Sequence, residues 1–99
     1  MTNKPDREPH VEWHVYVIRC SDNTLYTGVT TDIDRRFRQH AEGKGAKYFR
    51  GRMPLEVVYR EENHSRCSAA RREHCIKSMS RAAKELMVAE FSHCRVTLF

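Results

Sequence analysis

WHVYVIRCSDNTLYTGVT, residues 13–30, decides the fold. Its first eight residues are rich in β-branched and aromatic side chains and end at SDNT, a run of turn formers. LYTGVT then resumes the strand character, so the stretch reads as a β-hairpin with a short polar loop. Alternation along the first strand sends Tyr16 and Ile18 to one face and Val15 and Val17 to the other. On the second strand Tyr26 and Gly28 share a face. A glycine inside a strand marks close approach by another group, so space is expected above Gly28.

Beyond the hairpin, Thr31 to Asp34 fits the capping-box pattern, and a helix is expected from about residue 31 with Thr31 as its cap. Ile33, Phe37 and Ala41 form its apolar stripe. EGKGAKYFRGRMP, residues 42–54, holds three glycines and a proline and reads as a long basic loop. LEVVY, residues 55–59, supplies a third strand. Ser65 caps a second helix running to about Met79, and Ser80 caps a third, RAAKELMVAEF, whose inner side carries Ala83, Leu86 and Met87. The order β-β-α-β-α-α predicts an α+β fold, with a small, largely antiparallel three-stranded sheet flanked by helices. One domain is expected over residues 12–91, between a flexible polar tail at 1–11 and a C-terminal tail at 92–99.

Composition narrows the function. With 39% hydrophobic and 31% charged residues the 99-residue chain is globular. Its net charge of +5 is concentrated: Arg35, Arg36, Arg38, Lys44, Lys47, Arg50 and Arg52 face only Glu42 within residues 35–52. A local excess larger than the net charge of the whole chain favours a nucleic-acid face over a solvated loop. Lys44, Lys47, Arg50 and Arg52 are the candidate contacts to backbone phosphates. Cys20, Cys67, Cys75 and Cys94 form no CxxC pair and no zinc-finger spacing, so free thiols in a reducing cytoplasm are expected. The N-terminus has no signal-peptide h-region, and no apolar run approaches a membrane span.

One acidic residue is conspicuous. Glu73 falls in the middle of the inward arc that Ala69, Ala70 and Ile76 define on the second helix. A carboxylate there needs a partner. An ion pair with an arginine of the first helix and a metal ligand at the edge of a cleft are equally compatible with the spacing.

In order and spacing, VYVIRC, LYTG, TTDIDRRFRQH, GKGAKYFRGR and AARRE resemble the GIY-YIG nuclease family, specifically its small single-domain bacterial group, over about residues 13–80. The resemblance implies that Val15–Tyr16 and Tyr26–Thr27–Gly28 are the two halves of the signature. It implies further that Arg36 is the catalytic arginine and Glu73 the metal-binding glutamate, with His40 near the site. It also implies cleavage of DNA phosphodiester bonds with one divalent cation, Mg²⁺ or Mn²⁺, on branched, nicked or single-stranded DNA in repair or recombination. The chain departs from the pattern at His14, where the signature has glycine. Val29 stands where excision-repair relatives carry lysine, and Phe49 where the loop is expected to hold threonine.

Phosphodiester hydrolysis requires an activated water, neutralised charge on the phosphorus centre and help for the leaving oxygen. Each tyrosine alone is an ordinary strand residue; two on adjacent strands beside an arginine helix point to function. A phenol with a pKa of about 10 needs a nearby cation to act as a base, and either tyrosine could serve. Arg36 can grip nonbridging oxygens in bidentate fashion, and His40 is a second candidate for proton transfer. Two alternatives compete with the enzyme: a non-catalytic nucleic-acid-binding module, and a nuclease subunit targeted by a partner protein.

Overall fold

The computed structural model describes the backbone of residues 11–97 and the side chains of residues 11–94. Of the tail expected at 1–11, all but Val11 lies outside the described residues, as do Leu98 and Phe99. The elements are β1 (Trp13–Cys20), β2 (Leu25–Thr30), α1 (Ile33–Ala41), β3 (Pro54–His64), α2 (Arg66–Lys77) and α3 (Arg81–Thr97). The strands form one antiparallel sheet in the order β2-β1-β3. The expected α+β architecture and element order are therefore present.

The hairpin closes where the turn formers stand. The Cys20 N–H donates to the Thr24 carbonyl at 2.9 Å and the Asn23 N–H to the Cys20 carbonyl at 2.8 Å. Asn23 takes φ 67, a left-handed conformation that asparagine tolerates. In the β1–β2 register Tyr16 opposes Gly28 and Ile18 opposes Tyr26, which puts all four on one face. Val15, Val17 and Leu25 take the other, packed with Tyr59 of β3, Ala69 and Ile76 of α2 and Val88 of α3. On the Tyr16 face, Ile18, Cys20, Ile33 of α1 and Phe49 of the basic loop form a second core. The sheet is thus covered by α2 and α3 on one side and by α1 with its loop on the other.

Several local expectations change. Asp32, not Thr31, caps α1: its carboxylate accepts the Arg35 N–H at 3.0 Å, while the Thr30 hydroxyl oxygen accepts the Asp32 N–H at 3.1 Å. Ala41 is exposed, and the buried residue of the last turn is His40. β3 continues five residues past Tyr59 to His64. Its polar end is satisfied by side chains: Glu61 accepts from Arg72 Nε at 2.7 Å, from the Tyr59 hydroxyl and, at 2.8 Å, from His64. On α2, Ala69 and Ile76 are buried but Ala70 is exposed.

The caps of α2 and α3 form as expected. The Ser65 hydroxyl oxygen accepts the Ser68 N–H at 3.0 Å, and the Ser80 hydroxyl oxygen accepts the Ala83 N–H at 3.1 Å. α3, however, faces inward through Met87, Val88 and Phe91, leaving Ala83 exposed and Leu86 60% exposed. It also runs beyond residue 91 to Thr97. The Cys20 thiol is buried, and Cys67, Cys75 and Cys94 are exposed. Among the described residues no helix is long and apolar enough to cross a membrane.

Candidate active site and nucleic-acid interface

The site begins with a steric clearance. Tyr16 lies across β2, its ring over Gly28; a Cβ at residue 28 would stand 2.5 Å from the Tyr16 hydroxyl oxygen and 2.7 Å from Cζ. The space expected above Gly28 is occupied by the first signature tyrosine. Only 1% exposed, Tyr16 pairs its hydroxyl with His40 Nε2 at 2.8 Å.

His40, at the end of α1 and 1% exposed, accepts the Ala46 N–H on Nδ1 at 3.2 Å. A nitrogen that accepts carries no proton, so the neutral ring holds its proton on Nε2 and donates it to the Tyr16 oxygen. Burial, with the Arg36 charge added, lowers the His40 pKa to about 4. Gly45 provides the second clearance, since a side chain there would collide with the His40 ring.

Burial pushes the Tyr16 phenol up, reinforced by Tyr26 and opposed by the adjacent Arg36 guanidinium. Tyr26 is half-buried, its ring centroid 5.2 Å from Tyr48, 4.9 Å from Phe49 and 5.3 Å from His40. Its phenol too is raised by burial; the Lys77 and Arg36 charges pull the other way. Arg36 donates from Nη1 to Gln39 Oε1 at 2.9 Å.

Glu73 bears on both phenols, raising each. Its side chain is 24% exposed and its Oε2 meets Lys77 Nζ at 3.0 Å, one turn along α2. The ion-pair reading anticipated an arginine of α1; the partner is a lysine of the same helix. Among the described residues no group of three or more His, Cys, Asp or Glu converges to hold a metal. A lone, partly exposed carboxylate already carrying a cation fits a hard divalent ion that keeps most of its ligands as water.

The basic loop divides into two parts. Lys44 makes a loose, exposed pair with Glu42 at 3.7 Å. Lys47 and Arg50 are exposed at the single 3₁₀ turn, Lys47–Phe49, and have no ion pair among the described residues. Arg52 is committed elsewhere: Nε meets Asp22 Oδ2 at 2.7 Å, Nη1 donates to the Tyr48 carbonyl at 2.9 Å, and the guanidinium lies 4.0 Å from the Tyr48 ring centroid. Asp22, bonded to Thr24 and Arg52, has its carboxyl held at about 2. Arg52 thus fastens the loop to the hairpin turn.

Tyr16, Tyr26, Arg36, His40 and Glu73 therefore share one neighbourhood, with Lys44, Lys47 and Arg50 on the adjoining loop. Sequence reasoning passed over Lys77 and the packing role of Phe49. The i,i+4 spacing from Glu73 signalled the first. Nothing local signalled the second: Phe49, 6% exposed, packs 4.4 Å from His40 only because the loop folds back over α1.

The family described as the GIY-YIG catalytic domain matches residues 12–86. A UPF0213 protein of Natronomonas pharaonis is 54% identical over 77 residues, 78% of this chain and 91% of that protein. The UPF0213 protein YhbQ of Escherichia coli is 46% identical over 78 residues, covering 79% of this chain and 78% of the relative. Among solved structures, the UPF0213 protein BH0048 of Bacillus halodurans is 46% identical with a TM-score of 0.52, covering 79% of this chain and 83% of its own. The protein EF2693 of E. faecalis is 32% identical with a TM-score of 0.56, covering 93% and 92%.

Proposed function

Because the chain belongs to the GIY-YIG catalytic-domain family, we propose that it is a divalent-metal-dependent endonuclease that hydrolyses DNA phosphodiester bonds. We take its substrates to be branched, nicked or single-stranded DNA, as in repair or recombination in the cytoplasm. The observation that carries this reading is the juxtaposition of two phenols, a guanidinium and a partly exposed carboxylate beside a basic loop.

Arg36 grips the nonbridging phosphate oxygens, its planar fork matching two of them at once. Tyr26 takes the proton of the attacking water. It is the more exposed phenol, and although burial raises it, the Lys77 and Arg36 charges offset part of that rise. Tyr16 is a positioning residue: its oxygen accepts from His40, and its ring lies beside Tyr26, the centroids 6.2 Å apart. His40, neutral above pH of about 4, fixes Tyr16 and carries no charge itself. Glu73 would hold the Mg²⁺ or Mn²⁺, which when bound supplies positive charge for the transition state and the leaving oxygen. Lys47 and Arg50, with Lys44 beside them, bind flanking phosphates without reading sequence.

The test is cleavage of branched, nicked and single-stranded DNA with Mg²⁺ or Mn²⁺ by the wild type, Arg36→Ala and Glu73→Ala. Each substitution is expected to lower the rate by about a hundredfold or more. Equal rates in all three proteins would defeat the proposal, and salt-dependent binding without cleavage would leave a binding module in its place.

A further inference from the structure

Glu73 is not alone at the site. Lys77 Nζ stands 3.0 Å from its carboxylate, the lysine side chain 53% exposed and the glutamate 24%. Between them on α2, Ile76 is buried in the core that also holds Leu25 of β2. The pair is therefore anchored close to the strand that carries Tyr26. Lys77 is also the cation that most favours the Tyr26 phenolate, ahead of Arg36, so its charge is felt at Tyr26.

An ammonium and a divalent cation compete for one carboxylate, and the ion with twice the charge has the stronger claim. A lysine displaced in this way keeps a compact charge on a flexible four-carbon stem. We propose that Lys77 is a second phosphate-binding cation of the site: it rests on Glu73 in the metal-free protein and moves onto the substrate phosphate when a divalent cation takes the carboxylate. This rests on the nuclease reading above. It makes Glu73 a switch between two cations and ties substrate affinity to metal loading. A helix-stabilising i,i+4 pair at the surface would have neither property.

Two measurements on the full chain test it, comparing wild type with Lys77→Met. In the first, Mn²⁺ binding is followed by calorimetry, with Glu73→Gln as the control that loses the ion. Removing the competing ammonium should tighten Mn²⁺ binding by about fivefold, the equilibrium factor that an exposed ion pair carries at most. In the second, binding to a branched DNA is followed by anisotropy across a salt series, with and without Ca²⁺, and the DNA is checked for integrity on a gel. With Ca²⁺ the Lys77→Met protein should lose about one from the slope of log affinity against log salt, and without it the two slopes should coincide. Unchanged Mn²⁺ affinity, or a slope difference indifferent to Ca²⁺, overturns the proposal. If wild type and Glu73→Gln bind Mn²⁺ equally, Glu73 is not the metal ligand, and the underlying reading falls together with this one.

Discussion

Acidification should destabilise this protein through one buried ring. His40 is 1% exposed and held neutral between the Tyr16 hydroxyl and the Ala46 N–H. Its pKa is lowered from 6.5 to about 4, and burial is the first cause. Around it stand Tyr16 of β1, Tyr26 of β2 and Arg36 of its own helix; only Arg36 is charged near neutrality, and its sign opposes protonation. In the unfolded chain the ring titrates at its ordinary value. Above pH of about 6.5 neither state is protonated and the stability is whole. As the pH falls below 6.5 the unfolded state binds a proton that the native state refuses, so stability declines until about pH 4. The difference between the two pKa values is worth about 3 kcal/mol, most of it lost by pH of about 4.5.

Carboxylates such as Asp22 and Glu85, both held at about 2, add their own losses at the acid end. The quantity to follow is therefore the difference between wild type and His40→Gln in urea unfolding at pH values from 7 to 4.5. Wild type should lose about 2–3 kcal/mol more than the variant across that range. Nitrogen NMR of the wild-type ring should meanwhile show the proton on Nε2 throughout. Parallel stability curves, a ring titrating near 6.5, or a proton on Nδ1 would refute the reasoning.

Gly28→Ala places a methyl against the Tyr16 ring, so it should cost about 1–3 kcal/mol, break the Tyr16–His40 hydrogen bond and slow cleavage by about tenfold or more. Unfolding curves, the His40 ring protons and a cleavage assay measure these in turn. Glu61→Ala removes the acceptor shared by Tyr59, His64 and Arg72 on the opposite face of the sheet. It should lower stability by about 2 kcal/mol, between an exposed and a buried pair, while the cleavage rate per folded molecule stays unchanged. Arg50→Ala and Lys47→Ala should each reduce the salt slope of DNA binding by about one, whereas Arg52→Ala should leave the slope alone and lower thermal stability, because Arg52 is held by Asp22 and Tyr48.

The sequence by itself determined what depends on neighbours along the chain. Strand alternation paired Tyr16 with Ile18 on β1 and Tyr26 with Gly28 on β2, serine side chains marked the starts of α2 and α3, and glycines with turn formers set the loops. It also brought Glu73 to notice, since periodicity shows which side of a helix a polar residue interrupts, while Arg36 stood out through the family resemblance. Tertiary structure decided what depends on residues distant in sequence. The Tyr16–His40 bond spans 24 positions, and no local pattern distinguishes a histidine that completes a core from one facing water. Likewise the REENH end of β3 looks like loop until Arg72 of α2 arrives to pair with Glu61. Arg52 looks like every other base of its run until the hairpin turn presents Asp22. In each case a buried or half-buried polar group is fixed by a partner brought in by packing, and only the folded chain supplies that partner.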